Sequence, residues 1–311
     1  MDSEKRYLEN SDFGRCDREI NCGYFLYPNL ECIPTPKSLI QPDRVKGQKY
    51  YVPDYVLQRT TSHFTETQFY KILIARNISE KARQTLDKVL KEYAIGGIIK
   101  GKWEGAVSFP FIDANEKTHA IQVKSFGEDL HTVGTTFIHA ILLNYQKSLK
   151  VEPEAWILNY YNQEKKIECY FGEHLLTKYP LNPVALVEAP KTAIIATFYF
   201  GLPTSLDSFI WLSTYNLTGL NVEKSRVLEG RKVVLFPDSS ITEIAFNKWS
   251  HTASKIRKEI SLESINVSTF LKEKATHLEK ESGADLADYL LQYDWDEFHR
   301  SVKSADSEEL K

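Results

Sequence analysis

The sequence predicts an α/β fold in which a parallel sheet is flanked by helices. Residues 183–187 and 231–236 form two short runs rich in apolar residues, which are typical of strands buried on both faces. A carboxylate follows each run, Glu188 or Asp238, and a helix-forming segment comes next. Because parallel strands end at a common edge, we expect the two carboxylates to lie together in the crevice beyond that edge.

The composition of the chain limits its class. With 311 residues, of which 42% are hydrophobic, it can bury a core and form two or three domains. The net charge of -3 gives no overall attraction for nucleic acid, so any such surface has to be a local patch. Four cysteines do not suggest a disulfide framework, and no apolar run approaches the ~18 residues of a membrane span. We expect a soluble, cytoplasmic protein that does not enter a membrane.

Residues 1–50 form a small cysteine-containing segment at the N-terminus. Cys16 and Cys22, with five residues between them, have the character of half a zinc ribbon, and Cys32 is a third thiol. A structural zinc site needs four ligands, usually as two closely spaced pairs, and the first pair is missing. The segment is therefore either a degenerate zinc-ribbon-like segment with zinc on Cys16 and Cys22, or a metal-free loop with small buried thiols.

An α+β intermediate domain is predicted over residues 64–176, after a linker that contains proline and glycine. A capping-box match at Thr65–Gln68 predicts a helix through about residue 75, and Ser79 begins a second helix with one apolar stripe. The period then changes to two, so residues 106–113 and 119–126 are interpreted as a β-hairpin. Residues 135–146 are predicted as a helix, and residues 156–160 and 167–171 as strands.

A local basic and aromatic group falls in this intermediate domain. Lys100, Lys102, Trp103 and Lys124 can meet a nucleic-acid strand through charge and stacking. The competing interpretation is a solvated rim with Trp103 in the core, because the charges do not cluster strongly.

The α/β domain itself is predicted over residues 181–295, followed by a charged tail at 296–311. Residues 191–200 are apolar all round and predict a buried helix, and residues 209–212 predict another strand. Ser240 and Glu243 match a capping box that opens the helix after the second acidic strand end. A further helix is predicted over residues 267–276, and Asp285 is the expected N-cap of the last helix, with Asp288 in its first turn.

Val187-Glu188-Ala189-Pro190-Lys191-Thr192-Ala193 after one strand, with Phe236-Pro237-Asp238 after another, resembles the Toprim domain of topoisomerases and bacterial primases. In that family the glutamate acts as general acid/base and a later Asp-x-Asp binds divalent metal. Glu188 matches the glutamate and Asp238 the first aspartate, whereas Ser240 stands at the second. The segment 283–291 is similar to the ending of many Toprim-like proteins. The N-terminal segment resembles the second half of a ribbon that precedes Toprim-related domains in proteins of bacterial mobile elements.

The resemblance implies candidate catalytic residues and a cofactor. Glu188, Asp238 and Lys191 are the candidate catalytic residues, with Glu188 and Asp238 as ligands of Mg²⁺, which prefers oxygen donors. Lys191 either balances these acids or meets a phosphate, and the alternative is a lysine at a helix start that pairs with a nearby acid. Because Ser240 lacks a carboxylate, weaker metal binding is expected unless Glu243 or Asp207 contributes.

Two functions from different classes follow from this resemblance. The first is Mg²⁺-dependent phosphoryl transfer on DNA, primase-like or nuclease-like, in the replication or mobilisation of a mobile element. The second is a catalytically degenerate module that binds single-stranded DNA or a replication partner, such as a replicative helicase or a mobile-element protein. Whether the protein is an enzyme stays open at this point, and a partner protein without nucleic-acid contact is a third, more remote interpretation.

Overall fold

The computed structural model describes residues 14–15, 25–26, 49–76, 79–163 and 167–300. The chain divides into two compact units, Met1–Lys46 and Gly47–Lys311. In the first unit, strands β1 (Gly14–Arg15) and β2 (Phe25–Leu26) pair in antiparallel orientation. Cys16, Cys22 and Cys32 lie outside the described residues, so zinc binding by this segment stays a prediction.

The second unit begins with three helices, α1 (Asp54–Thr60), α2 (Gln68–Ile74) and α3 (Glu80–Glu92). The hydroxyl of Ser79 accepts the backbone N–H of Ala82, which confirms the predicted start of α3. Helix α2 is capped by Thr67 rather than by Thr65. The predicted capping box is wrong because residues 64–66 form a 3₁₀ turn before the helix begins.

An antiparallel sheet follows, with strands β3 (Gly96–Gly97), β4 (Val107–Ile112), β5 (Thr118–Phe126) and β6 (Thr132–Phe137) in that order across the sheet. The β4–β5 pair confirms the predicted hairpin. Helices α4 (Ile138–Ser148) and α5 (Ala155–Asn162) complete this layer. The strand predicted at 156–160 is wrong, since Ile157 and Tyr160 are both buried at the i, i+3 spacing of one helix face.

A parallel sheet forms the other half of the unit. Its strands are β7 (Val184–Val187), β8 (Ile210–Ser213), β9 (Lys232–Leu235) and β10 (Ser264–Val267), in the order β10-β9-β7-β8. Every neighbouring pair is parallel. The flanking helices are α6 (Leu175–Lys178), α7 (Pro190–Phe200), α8 (Val222–Ser225), α9 (Ile244–Glu259), α10 (Phe270–Lys274), α11 (His277–Ser282) and α12 (Leu286–Leu290). The expected fold class, a parallel sheet flanked by helices, is therefore confirmed.

Three local predictions in this half are wrong. Residues 264–267 form β10, so the helix predicted from residue 267 is reduced to the short α10. Residues 167–171 contribute only a single bridge, between Phe171 and Ser213. Helix α9 begins at Ile244 without a side-chain cap, and the carboxylate of Glu243 pairs with Lys272 at 2.9 Å instead of closing a capping box with Ser240.

One apolar core joins the two sheets. It runs from Leu86 in α3 through Phe109 in β4 to Leu186 in β7, all of which are inaccessible to solvent. The hydroxyl of Tyr93 adds polar contacts across this core, to Thr197 Oγ1 at 2.8 Å and to the Trp211 carbonyl at 2.7 Å. The antiparallel sheet is therefore fixed against the parallel sheet, so side chains from both can share a site. None of the helices in the described ranges has the length and apolar character needed to cross a membrane.

Candidate acidic site at the edge of the parallel sheet

Glu188 and Asp238 lie at the same edge of the parallel sheet. Strands β7 and β9 are neighbours with Leu186 opposite Leu235, and the Phe236 N–H donates to the Leu186 carbonyl at 2.8 Å. The chain runs from β7 to β8 on one side and then returns to β9 on the other. This reversal of strand order is where open α/β sheets form their ligand crevice.

The Glu188 carboxyl has an unusual protonation equilibrium. Burial raises its pKa to about 7; the Asp285 charge also raises it, whereas a backbone N–H from Leu217 and the charge of Lys124 act in the opposite direction. The hydroxyl of Ser213 donates to the Glu188 carbonyl at 3.0 Å and anchors the turn. A carboxyl with a pKa near neutrality can both accept and return a proton under physiological conditions.

Asp238 belongs to the same electrostatic group. Burial raises its pKa well above the usual range, and the charges of Glu188 and Asp285 raise it further. Carboxylates raise one another's pKa in this way when they are close and a counter-charge is scarce. The structure thus brings together the two acids that the sequence placed fifty residues apart.

Lys191 is buried and occupies the centre of a charge network. Its Nζ lies 3.5 Å from Asp285 Oδ2 and 3.5 Å from Asp288 Oδ1. Burial lowers the pKa of Lys191, but the two aspartates outweigh this effect and the pKa is raised. Of the interpretations left open by the sequence, the structure favours a lysine that pairs with nearby acids.

Asp285 is a member of this site that sequence reasoning assigned only to capping. It does cap α12, in a reciprocal capping box with Asp288. Its other oxygen accepts the Thr192 hydroxyl at 2.7 Å. Burial raises the pKa of Asp285, but Lys191 and this hydrogen bond lower it below the ordinary value, so the carboxylate is ionised. The signal available in the sequence was the Lys191-Thr192 pair at the start of a buried helix, since a buried lysine needs an acidic partner and a buried hydroxyl needs a hydrogen-bond acceptor.

Lys124 reaches the acidic site from the antiparallel sheet. Burial and the charge of Lys191 lower its pKa to about 8, while Asp285 and Glu188 act to raise it. In the part of the chain that the structure describes, no carboxylate pairs with its ammonium. Gln122, two residues earlier on the same face of β5, is 3% exposed, and its Oε1 has no hydrogen-bond partner among the described residues.

The other members of the predicted basic group lie elsewhere. Lys100 and Lys102 are exposed. Trp103 is partly buried and packs over Gly134, where an added Cβ would lie 3.1 Å from its Cζ3. Gly134 is paired with Ser125, whose side chain points to the face opposite that of Lys124. The four residues therefore do not form one surface, and only Lys124 belongs to the acidic site.

The oxygen donors at the sheet edge fit a hard divalent cation. Mg²⁺ is usually held by one or two carboxylates together with substrate phosphates and water, and Glu188 and Asp238 provide such a pair. Within the described ranges, no group of three or more His, Cys, Asp or Glu side chains is arranged to hold a metal ion. Asp207 precedes β8, at the opposite edge of the sheet, and Glu243 pairs with Lys272, so neither replaces the missing second aspartate.

The family model described as Domain of unknown function (DUF6371) matches residues 67–239, more than half of the chain. The chain belongs to this family. The region that DUF6371 covers runs from the cap of α2 to just beyond Asp238, so it includes Lys124, Glu188 and Lys191, whereas Asp285 lies outside it. None of the curated proteins matches the sequence.

Solved structures similar to this DUF6371 protein include the catalytic core of DnaG, with 12% identity, a TM-score of 0.43 and coverage of 75% of this chain and 79% of that chain. A DnaG primase catalytic domain bound to ssDNA has 12% identity and a TM-score of 0.42, covering 77% and 80%. The primase fragment of the bacteriophage T7 primase-helicase protein has 11% identity and a TM-score of 0.35, covering 78% and 82%.

Proposed function

We propose that this protein processes nucleic acid by Mg²⁺-dependent phosphoryl transfer on DNA, in the replication or mobilisation of a mobile element. The observation that carries the proposal is the convergence of Glu188 and Asp238 at the reversal of strand order, where they share one electrostatic group. The resemblance of the motifs around these residues to Toprim proteins points in the same direction.

The residues of the site divide the chemistry between them. Glu188 accepts or returns a proton, since its pKa of about 7 allows both. Where Mg²⁺ is bound, Glu188 and Asp238 would hold it as ionised carboxylates, and the ion would supply positive charge to the phosphoryl group. Lys124, whose ammonium faces the acids from β5, contacts a substrate phosphate. Lys191 has a positioning role, because its ammonium pairs with Asp285 and Asp288 and holds them in place.

The proposed substrate is single-stranded DNA, and the proposed partners are a replicative helicase or another protein of the same mobile element. Net charge argues against a uniformly basic binding surface, so contacts to the strand are local. A template-directed reaction requires an unpaired strand, and Glu188 and Asp238 each retain partial solvent exposure at the sheet edge.

A second candidate function is a binding module without catalysis. It is favoured by Ser240 at the position of the second metal-binding aspartate and by Lys191, whose ammonium already neutralises Asp285 and Asp288. In this case Glu188 and Asp238 are remnants, and the protein recognises single-stranded DNA or a replication partner through the same crevice.

The experiment that separates these functions uses the full chain with single-stranded DNA, nucleoside triphosphates and Mg²⁺. Primer synthesis or strand cleavage is followed for the wild type and for Glu188→Gln, with Glu229→Gln as a matched control, because Glu229 is exposed just before β9 at the opposite edge. We expect activity that chelator and Glu188→Gln abolish and that Glu229→Gln retains. Salt-sensitive DNA binding that is unchanged by chelator and by Glu188→Gln, with no turnover, contradicts the enzyme and supports the binding module.

A further inference from the structure

A cavity of about 150 Å³ adjoins the acidic site at the ends of β9 and β10. Asp238 forms part of its wall and is the member of the acidic group that the cavity reaches. The rest of the wall comes from the turn after β9, the first turn of α9 and helices α10 and α11, with Ser240, Phe246, Lys272, His277 and Lys280 among the lining residues.

Two hydrogen-bond donors at the cavity have no acceptor among the described residues. Lys280 forms no ion pair among the residues that the structure describes. The Ser240 Oγ is buried and has no hydrogen-bond partner within the same residues. A buried hydroxyl without a partner is costly, so a ligand group that completes its hydrogen bonding is expected.

The charges around the cavity allow an anion but not a strongly cationic ligand. The Lys272 Nζ pairs with Glu243 Oε2 at 2.9 Å, and it lies 5.1 Å from the centre of the Phe246 ring. Helix α9 has 16 residues and no side-chain cap, so its first backbone N–H groups remain available at the cavity. Two carboxyl groups also line the cavity, Asp238 and Glu243, and the charge of Glu243 is offset by its pair with Lys272.

We propose that this cavity is a phosphate-binding subsite, which holds an anionic phosphate group of the substrate beside the acids at the sheet edge. The identity of the ligand as a substrate rests on the proposed function, whereas phosphate binding itself does not. The phosphate belongs either to a nucleoside triphosphate or to the backbone of the DNA strand, and both present the same oxygens to Lys280 and Ser240.

Inorganic pyrophosphate is the probe for this subsite, and its binding to the full chain is measured by calorimetry in the presence of chelator. Without metal, nucleic acid or turnover, the measurement is independent of catalysis. We expect Lys280→Gln to weaken pyrophosphate binding about tenfold or more, as the loss of a charge-assisted hydrogen bond predicts. The matched control is Lys274→Gln, because Lys274 is exposed on the neighbouring helix and does not line the cavity.

Ser240→Ala provides a second variant with a different signature. Because the hydroxyl has no partner among the described residues, its removal is expected to weaken pyrophosphate binding a few-fold while the melting temperature stays equal or rises. Absence of pyrophosphate binding, or binding that both lysine variants weaken equally, overturns the subsite even if Glu188-dependent activity is present. Intact binding without any Glu188-dependent activity contradicts the proposed function and leaves the subsite standing.

Competition identifies the source of the phosphate. Displacement of pyrophosphate by nucleoside triphosphate, but not by a single-stranded oligonucleotide, assigns the subsite to an incoming nucleotide. The opposite result assigns it to the DNA backbone. Displacement by neither overturns its assignment to a substrate.

Discussion

At the scale of single residues, the pKa of Glu188 links the chemistry of the site to the stability of the protein. Burial raises this pKa from its ordinary value to about 7 in the folded state. The native protein therefore holds the proton more tightly than the unfolded chain, and folding becomes less favourable as pH rises through this interval. The burial that suits Glu188 to proton transfer therefore also destabilises the folded protein above neutral pH.

Replacement of Glu188 by Gln is predicted to stabilise the protein at about pH 8 and to have little effect below about pH 4.5. Gln keeps an oxygen for the Leu217 N–H and removes the buried charge, so the gain is on the order of 1–3 kcal/mol. Urea unfolding of wild type and variant at several pH values measures this difference. A destabilised variant at pH 8, or a gain equal to that of the exposed Glu229→Gln, contradicts the assigned environment.

Lys124 carries the opposite charge, and burial of its ammonium likewise reduces the stability of the folded protein. Its pKa is lowered to about 8, so below that pH the ammonium is charged in both states and its full burial penalty is present. Lys124→Met is predicted to increase stability at pH 7 by on the order of 1–3 kcal/mol, with a smaller gain as pH rises towards 10. The same variant should weaken binding of single-stranded DNA, because it removes the cation that faces the acids. A loss of stability together with unchanged DNA binding would assign Lys124 to structure alone.

The two aspartates that pair with Lys191 are not equivalent. Asp285 accepts the Thr192 hydroxyl and its side chain is 11% exposed, whereas the Asp288 side chain is 24% exposed. Asp285→Asn keeps the helix cap but leaves a buried lysine with one partner, so a loss of about 2 kcal/mol or more is expected. Asp288→Asn is the control and should cost less in thermal unfolding. Equal losses of stability for the two variants would contradict the larger contribution assigned to Asp285.

At the scale of elements, the loop after β8 positions the N–H that contacts Glu188. Gly219 allows this loop to close on itself, since an added Cβ would lie 1.9 Å from the Thr214 carbonyl oxygen. Gly219→Ala is predicted to displace the loop, to destabilise the protein by about 1–3 kcal/mol and to raise the Glu188 pKa further, because the Leu217 N–H no longer supports the carboxylate. Thr218→Ala in the same loop is the control, with an expected change within about 0.5 kcal/mol. The Glu188 pKa values of the Gly219→Ala and Thr218→Ala variants are compared by NMR titration. Equal values would show that the loop does not influence the Glu188 carboxyl.

The elements differ in how far local sequence determines them. Helix α3 and strands β7 and β9 were predictable, because a capping serine or a continuous apolar run specifies them locally. Strand β10 and helix α5 were not, because their patterns are short and their burial depends on partners far along the chain. The αL conformation of Glu243 and its pairing with Lys272, 29 residues away, likewise displaced a capping box that the local pattern favours.

The same distinction applies to the candidate site. Adjacency of Glu188 and Asp238 follows from strand order, which two acidic strand ends can indicate. The contribution of Asp285 depends on α12 packing against α7, and that of Lys124 on how the antiparallel sheet docks onto the parallel one. Such long-range placement is set by the shared core, whose packing no short pattern encodes.

At the scale of the whole molecule, the site is assembled from parts that are far apart in the sequence. Strand β5 supplies Lys124, the ends of β7 and β9 supply the two acids, and the turn into α12 supplies Asp285. The core that joins the sheets therefore determines the electrostatics of the crevice. Buried contacts across this core, such as that between the Tyr93 hydroxyl and Thr197 Oγ1 at 2.8 Å, hold these parts in place.

Glu173 provides a second tie between the halves. Its buried carboxylate accepts the backbone N–H of Tyr170 at 2.9 Å and of Ala114 at 3.3 Å, so it joins the β4–β5 turn to the approach to the parallel sheet. Burial raises its pKa to about 7, although these two hydrogen bonds act to lower it. Glu173 therefore has a structural role, because its carboxyl holds two separate segments of the chain together.

The most direct measurement is a ¹³C NMR titration of the side-chain carboxyls, with Glu188 assigned by comparison with Glu188→Gln, in the absence and presence of Mg²⁺. A shared acidic group that holds a cation predicts an apparent Glu188 pKa of about 7 without metal, a lower value in Asp285→Asn, and a further decrease when Mg²⁺ is added. A Glu188 that titrates like an exposed glutamate, and that responds to neither Asp285→Asn nor Mg²⁺, would show that these carboxyls do not form one site.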